Sequence, residues 1–220
     1  MEKQIPIIED LQEYLGENRG EHVIFSGTFD PFHLAHLHMA YLGALAGERL
    51  ETPRPLILAP HSRTRGKKPA PIEQRIEWMI RTIQEEGEIG DLASKVVIAK
   101  DLHRDEDLES WRDLRRIFAH RLIRVAGSDK AIGMATDRTS VNAKYFFLPR
   151  IGSTSSTGIR EAFRSGNPES IEGIISRSVF EDIKKTGVYS LHPELSQPSL
   201  ASSASPSPHQ TPGNTKPDVF

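Results

Sequence analysis

The chain contains no cysteine, which excludes disulfide bridges, thiolate metal sites and cysteine nucleophiles. It also lacks any apolar run approaching the roughly 18 residues of a membrane span. Residues 1–20 lack the continuous apolar core of a signal peptide. A net charge of −2 gives no electrostatic reason to expect nucleic acid or an anionic membrane as a partner. We therefore expect a cytoplasmic protein, and its 220 residues suit one globular domain plus a tail.

Short apolar runs alternate with segments of helical periodicity along most of the chain. The runs predict five strands, at residues 22–26, 55–60, 96–99, 122–126 and 145–148. Helices are predicted at residues 34–50, 72–83, 108–118, 158–164 and 179–185, and Asn167 followed by Pro168 marks another helix start. This alternation predicts an α/β fold with a doubly wound parallel sheet, which is Rossmann-like. Such sheets bind ligands beyond the carboxyl ends of their strands, here after Ser26, Ala59 and Ala126.

Composition divides the chain into three parts. We expect an N-terminal extension at residues 1–20, a single domain at 21–190 and a Ser/Pro-rich tail at 191–220. The tail has few large apolar residues, so it buries too little surface to offset the entropy of ordering and is predicted to be disordered. It is either an inert linker or a docking or modification segment.

The first chemical motif is GTFDPFHLAH at residues 27–36, between a predicted strand and a helix. Gly27 allows a tight turn and a close approach of ligand to backbone. His33 and His36 are three residues apart, so both lie on one face of the first helical turn. Free backbone N–H groups and the helix dipole there favour an anion, and two imidazoles add donors. A zinc site is the alternative, but the pair lacks a helical Glu partner.

The second motif is residues 153–160, STSSTGIR, which follows the fifth predicted strand and opens another helix. Hydroxyl and backbone N–H groups at a helix start suit a phosphate, and Arg160 one turn later can clamp it. The alternative is an ordinary helix cap. Four Lys/Arg residues at 61–68 form either a solvated loop or a further anion-binding segment.

GTFDPFHLAH resembles the signature of the HIGH-type nucleotidyltransferases, most closely the bacterial nicotinate and nicotinamide mononucleotide adenylyltransferases. The second motif is similar to their I-S-S-T-x-I-R, with Thr154 in place of Ile. The resemblance implies that His33, His36 and Arg160 are catalytic. Asp30 would anchor its loop or bind the acceptor. The nucleotide and its phosphates would be bound by Gly27, Thr28, Phe29, Ser155, Ser156 and Thr157.

Other matches to this family are shorter. Gly127 and Asp129 resemble its G-x-D, which contacts nucleotide or acceptor. The basic segment before Arg75 and Met79 stands where relatives have P-P-H-K, so His61, Lys67 and Lys68 are candidates for neutralising phosphate charge, and Lys68 is included among the phosphate-binding residues. Ala35 replaces the family's glycine, and no Trp lies between Asp129 and Ser153 where relatives carry one.

The resemblance implies transfer of AMP from ATP to nicotinate or nicotinamide mononucleotide, with release of pyrophosphate, in NAD synthesis. Phosphoryl chemistry of this kind needs positioning and charge stabilisation more than a nucleophile or base. We expect Mg²⁺ to enter with ATP on phosphate oxygens and water, with no metal ligand from the protein. Two alternatives stay open: another phosphorylated acceptor, or a catalytically weak nucleotide-binding regulatory protein.

Overall fold

A six-stranded sheet, parallel throughout, organises the chain in a computed structural model that describes residues 4–61, 69–86, 91–100, 121–128, 144–149 and 155–190. Its strands are β1 (Ile7–Ile8), β2 (His22–Gly27), β3 (Leu56–Pro60), β4 (Val96–Ala99), β5 (Leu122–Gly127) and β6 (Lys144–Leu148). Every residue of β3 and β4 is buried, which is why they read as continuous apolar runs in the sequence. The predicted doubly wound parallel sheet is confirmed.

The strand order β1-β4-β3-β2-β5-β6 places the chain reversal beside β2. After β2 the chain adds β3 and β4 on one side, and it then crosses to add β5 and β6 on the other. Connections that leave adjacent strands in opposite directions open a crevice at the carboxyl ends of those strands. The fold therefore provides a ligand crevice between β2 and β5.

Helices cover both faces of this sheet. They are α1 (Leu11–Glu17), α2 (Leu34–Glu48), α3 (Ile72–Glu86), α4 (Ser156–Arg164) and α5 (Arg177–Thr186). Helices α2 and α3 share one core cluster with Val23 and Phe25, whereas α1 packs with Ile24 on the opposite face. In a third cluster, α4 and α5 pack around Trp78 of α3, which is fully buried and donates to Asp182 Oδ2 at 2.7 Å. No helix in the described parts of the chain is long and apolar enough to cross a membrane.

The observed strands and helices agree with those predicted from the sequence except at a few places. Each of the five predicted strands lies within one residue of its observed position. The segment set apart as an N-terminal extension contributes β1, which pairs with β4, and α1. The helix start predicted at Asn167 is only a 3₁₀ turn, Pro168–Ile171, and the Asn167 side chain does not cap it. The predicted helix at 108–118 and the tail at 191–220 lie outside the described residues.

A buried histidine closes the amino end of β2. His22 is fully buried, and its Nε2 lies 2.7 Å from the Asn18 carbonyl oxygen, so Nε2 carries the proton and donates. The Arg54 guanidinium donates to Asn18 Oδ1, and Arg121 donates to the Asn18 carbonyl. Burial lowers the pKa of His22, and the positive charges of Arg54 and Arg121 lower it further. This end of the sheet therefore holds a neutral imidazole.

Candidate active site

A cavity of about 400 Å³ opens at the carboxyl ends of β2 and β5, and the first turns of α2 and α4 face it. Its walls bring together residues from both sequence motifs. The predicted site residues on its walls are Gly27, Thr28, Phe29, His33, His36, His61, Gly127, Ser155, Ser156, Thr157 and Arg160. Asp129 and Lys68 lie outside the described residues. The two motifs, far apart in sequence, thus form one site.

The histidine pair lies at the start of α2. His33 is the N-cap, with extended φ and ψ of −137° and 170°, and its carbonyl accepts the Leu37 N–H at 3.0 Å. His36 lies one turn further on, and the two rings stack with centroids 3.7 Å apart. The Phe32 ring also stacks with His36, and the two ring centroids are 5.5 Å apart. This packing fixes both imidazoles against the wall where the helix presents its free N–H groups.

The loop before α2 is held in an unusual conformation. Phe29 has a φ of 47°, in the left-handed region that a bulky residue rarely occupies. Its ring is 2 % exposed and meets His36 edge-on at 5.1 Å. A methyl group on Gly27 would lie 2.8 Å from Phe29 Cε1, so glycine lets the ring fold back over the strand end. Burial of the ring thus holds the loop against the backbone strain.

Asp30 links the loop to three distant segments. Its Oδ1 accepts from Ala70 N at 3.1 Å and from the Tyr189 hydroxyl at 2.5 Å, and its Oδ2 pairs with Arg160 Nη1 at 3.3 Å. Burial raises the pKa of Tyr189, and the adjacent Asp30 charge raises it further, so the phenol stays protonated and donates. Because Asp30 is 1 % exposed and does not line the cavity, the geometry favours loop anchoring and not the predicted acceptor contact.

Arg160 connects this buried carboxylate to the cavity. One guanidinium nitrogen donates to the Asp30 carbonyl at 2.5 Å, and the other donates to Thr157 Oγ1 at 3.1 Å. Only 7 % of its side chain is exposed, yet it forms part of the cavity wall. Its planar fork is thereby aimed before any ligand arrives, which lowers the entropic cost of binding a phosphate.

The start of α4 is fastened to the first motif. Ser155 is the N-cap, and its Oγ accepts the Gly158 N–H at 3.1 Å. Ser156 Oγ donates to the Pro31 carbonyl at 3.1 Å. The amino ends of α2 and α4 are consequently fixed relative to each other across the cavity, and both favour negative charge.

Arg75 is a buried structural residue whose role the sequence did not reveal. Its side chain donates to the carbonyls of Ala70, Thr28 and His61, at 2.8 Å for Ala70 and for His61. The His61 N–H in turn donates to the Gly27 carbonyl at 2.8 Å. Arg75 therefore ties the loop after β2 to the loop after β3. The sequence did place Arg75 directly before Ile76 in the apolar stripe of α3, and this position could have indicated a buried charge.

Arg124 is a second cavity residue that the sequence motifs did not include. It lies within β5, is partly buried, and its Nη2 is 3.4 Å from Ser26 Oγ. Its guanidinium also lies over the Tyr145 ring, 5.7 Å from the centroid. Leu122-Ile123-Arg124-Val125-Ala126 is apolar except at this position, and that interruption was a readable signal.

The cavity is lined by groups that bind anions. Within the described residues, no three His, Asp or Glu side chains form a cluster that could hold a metal ion. Two helix N-termini, three imidazoles and two guanidinium groups line one cavity. Such a set of donors can bind a polyphosphate and stabilise charge that moves between its oxygens. Ala35, where a glycine was expected, also lines the wall.

Comparisons with known proteins agree with this arrangement. A family model described as cytidylyltransferase-like matches residues 24–162, from β2 into α4. No curated protein sequence matches the chain significantly. Solved structures of Plasmodium falciparum nicotinic acid mononucleotide adenylyltransferase, complexed with NaAD and with APC, match with a TM-score of 0.56 and 15% identity, over 78% of this chain and 98% of that chain.

A further match is a putative nicotinate-nucleotide adenylyltransferase from Vibrio parahaemolyticus. It has a TM-score of 0.56 and 20% identity, over 78% of this chain and 96% of that chain. At these identities the solved structures establish the fold. The family match covers well over half of the sequence and spans both motifs. The chain therefore belongs to the cytidylyltransferase-like family, and the predicted HIGH-type nucleotidyltransferase fold is confirmed.

Proposed function

We propose that the protein transfers AMP from ATP to nicotinate or nicotinamide mononucleotide and releases pyrophosphate. The observation that carries the proposal is the stacked pair of His33 and His36, which shares one cavity with the first turn of α4 and with Arg160. The similar solved structures are of enzymes named as adenylyltransferases of nicotinic acid mononucleotide, and this supports the choice of acceptor. The role in NAD synthesis and the cytoplasmic location belong to the same proposal.

In this mechanism an acceptor phosphate oxygen attacks the α-phosphorus of ATP in line. A new P–O bond forms, the bond to the bridging oxygen of the β-phosphate breaks, and pyrophosphate leaves. The attacking phosphate is already ionised at neutral pH, so no general base is needed. His33 and His36 donate to oxygens on which charge increases, and Arg160 and the N–H groups of α4 hold the remaining phosphate oxygens.

Mg²⁺ enters this scheme as part of the MgATP substrate. Bound to phosphate oxygens and water, it neutralises charge on the triphosphate. The hydrogen-bond donors that line the cavity are compatible with a metal ion held by the substrate, because imidazole, guanidinium and backbone N–H groups bind phosphate directly. Lys68 and Asp129 keep their predicted roles in phosphate and nucleotide binding within this proposal.

One observation favours a second candidate function. Ala35 lines the cavity, where its methyl group would reduce the space for a bound nucleotide. A site that binds ATP but transfers slowly would make the protein a nucleotide-binding regulator. Replacing Ala35 with glycine separates the two: a large rise in rate in Ala35→Gly indicates a natural site limited by this methyl group.

The deciding experiment measures pyrophosphate release from MgATP with a panel of phosphorylated acceptors that includes both pyridine mononucleotides. We expect transfer to a pyridine mononucleotide, and a fall in kcat of about 10²–10³-fold in His36→Ala, the size seen when one transition-state donor is removed. His38→Ala is the matched control, because His38 lies exposed on the same helix and outside the cavity. ATP binding without transfer to any acceptor would establish the second candidate instead.

A further inference from the structure

The chain turns back toward the histidine loop directly after α5. The helix ends at Thr186, and Gly187 follows with a φ of 60°, in the left-handed region that glycine adopts without strain. The Gly187 N–H donates to the Ile183 carbonyl at 3.0 Å, and the Ser190 N–H donates to the Gly187 carbonyl at 2.8 Å. This turn carries Tyr189 into the buried cluster that α3, α4 and α5 share. A phenol from the end of the described chain thereby reaches the loop after β2.

The Asp30 carboxylate lies closer to this phenol than to its charged neighbour. Its Oδ1 accepts from the Tyr189 hydroxyl at 2.5 Å and from the Ala70 N–H at 3.1 Å. Its Oδ2 is 3.3 Å from Arg160 Nη1, although both side chains are buried. A guanidinium and a carboxylate that are free to close on each other normally approach to about 2.7–2.9 Å. The carboxylate is therefore held toward Tyr189, and its ion pair with Arg160 stays loose.

The loose ion pair leaves part of the Arg160 guanidinium for the cavity. Its Nη1 donates to the Asp30 carbonyl and to Oδ2, whereas Nη2 donates to Thr157 Oγ1. Within the described residues, no hydrogen bond occupies Nε or the second N–H of Nη2. A bidentate pair with Asp30 would engage a second guanidinium nitrogen in addition to Nη1. The present arrangement keeps those donors for a phosphate.

Removal of the phenol hydroxyl would change this balance. Oδ1 would keep the Ala70 N–H alone, and a buried carboxylate that loses a donor regains stability by binding another one. The Arg160 guanidinium is already in contact with it, whereas Arg75 donates to three backbone carbonyls. Closure of the pair between Asp30 and Arg160 would replace the lost bond. It would also draw the guanidinium toward the loop and away from the cavity.

We propose that Tyr189 is a positioning residue for nucleotidyl transfer, which holds the Asp30 carboxylate back from Arg160 and so keeps the guanidinium available to the phosphates of the nucleotide. This inference rests on the proposed function and adds to it a residue that does not line the cavity. Tyr189 contacts no substrate, and it acts only through Asp30 and Arg160. The end of the described chain thus helps to set the positive charge that the cavity offers to a polyphosphate.

The test is a double-mutant cycle on kcat/KM for MgATP at saturating acceptor, measured at a temperature where circular dichroism shows every variant folded. Tyr189→Phe should lower kcat/KM about tenfold, which is a fraction of the about 10²–10³-fold loss expected for Arg160→Gln. When Arg160→Gln is already present, Tyr189→Phe should cause less than about a twofold further loss, because the phenol acts through the missing guanidinium. Tyr14→Phe is the control, because Tyr14 lies beside His22 and outside the cavity.

An equal loss in both backgrounds would show a merely structural role and overturn the inference, as would no loss in Tyr189→Phe. If the unaltered protein transfers AMP to no acceptor, the proposed function fails, and calorimetric titration with MgATP and with adenosine tests the inference alone. Tyr189→Phe should then weaken MgATP binding about tenfold only where Arg160 is present. Adenosine has no phosphate, so its unchanged affinity would show an intact cavity. Equal weakening for both ligands, unchanged MgATP affinity or no MgATP binding refutes the inference.

Discussion

Replacing Tyr189 with phenylalanine removes one hydroxyl group from the buried network around Asp30. The hydroxyl donates to Asp30 Oδ1 at 2.5 Å, and Tyr189 is 5% exposed, so water is poorly placed to replace the bond. Oδ1 keeps only the Ala70 N–H, at 3.1 Å, and Oδ2 keeps Arg160. The lost interaction is a hydrogen bond to a charged acceptor, for which a cost of about 1.5–3 kcal/mol is typical.

We therefore expect Tyr189→Phe to lower the free energy of unfolding by about 2 kcal/mol. For a domain of this size that corresponds to a fall in Tm of about 4–8 °C. Urea unfolding followed by circular dichroism measures the change, and an unaltered m-value would show that the variant keeps its native surface burial. The ring itself packs with Trp78 and Phe163, and phenylalanine preserves those contacts.

Tyr14→Phe is the matched control, because Tyr14 is a partly buried tyrosine beside His22 at the other end of the sheet. Its unfolding free energy should change by less than about 0.5 kcal/mol. The reasoning is refuted if Tyr189→Phe is no less stable than this control. Asp30→Asn provides an upper bound: it removes the charge that Arg160 faces in a buried pair, which typically costs about 3–5 kcal/mol.

Two further predictions concern the rest of the scaffold. Because the folded pKa of His22 lies below its unfolded value near 6.5, its contribution is complete above that pH and is lost as the pH falls toward the folded pKa. This residue should therefore lower the unfolding free energy by at most about 1.4 kcal/mol per pH unit as the pH falls from 7.5 to 5.5. The variant His22→Gln should show a flatter decline. Parallel plots of unfolding free energy against pH for the two proteins would contradict this. Gly47→Ala would place a methyl carbon 2.6 Å from the Arg54 carbonyl oxygen, so we expect a loss of at least about 1–3 kcal/mol in urea unfolding. Gly16→Ala has open space around it and should be neutral or stabilising; equal losses in the two glycine variants would be inconsistent with the steric argument.

The strands were predictable because burial on both faces leaves a plain mark in the sequence. The runs that became β3 and β4 are apolar at nearly every position, and the residues around them change character abruptly. β1 was missed because a two-residue edge strand contains no measurable period. The turn at 168–171 carried a correct start signal, but Asn167 and Pro168 do not determine how far a helix continues.

The site was predictable only where it is local in sequence. The spacing of His33 and His36 indicated a shared helix face, and the structure adds that His33 is the cap residue and that the rings stack. The contacts of Asp30 join residues 130 and 159 positions apart, and no periodicity or motif within a window reports them. The sequence shows Arg124 as a charged residue within an apolar strand. It does not show that this strand borders the cavity, and that position determines what the residue can contact.

The hydrogen bond between Asp30 and Tyr189 also determines at what stage of synthesis the site can be completed. A ribosome adds about 5–20 residues per second, so the 159 positions between them correspond to about 8–32 s. Throughout that interval the nascent chain already exposes the histidine loop, while the partners that fasten its carboxylate are still missing or only partly made. Completion of the cavity therefore depends on the last described segment to be translated, and until then the histidine loop lacks the contacts that fasten Asp30.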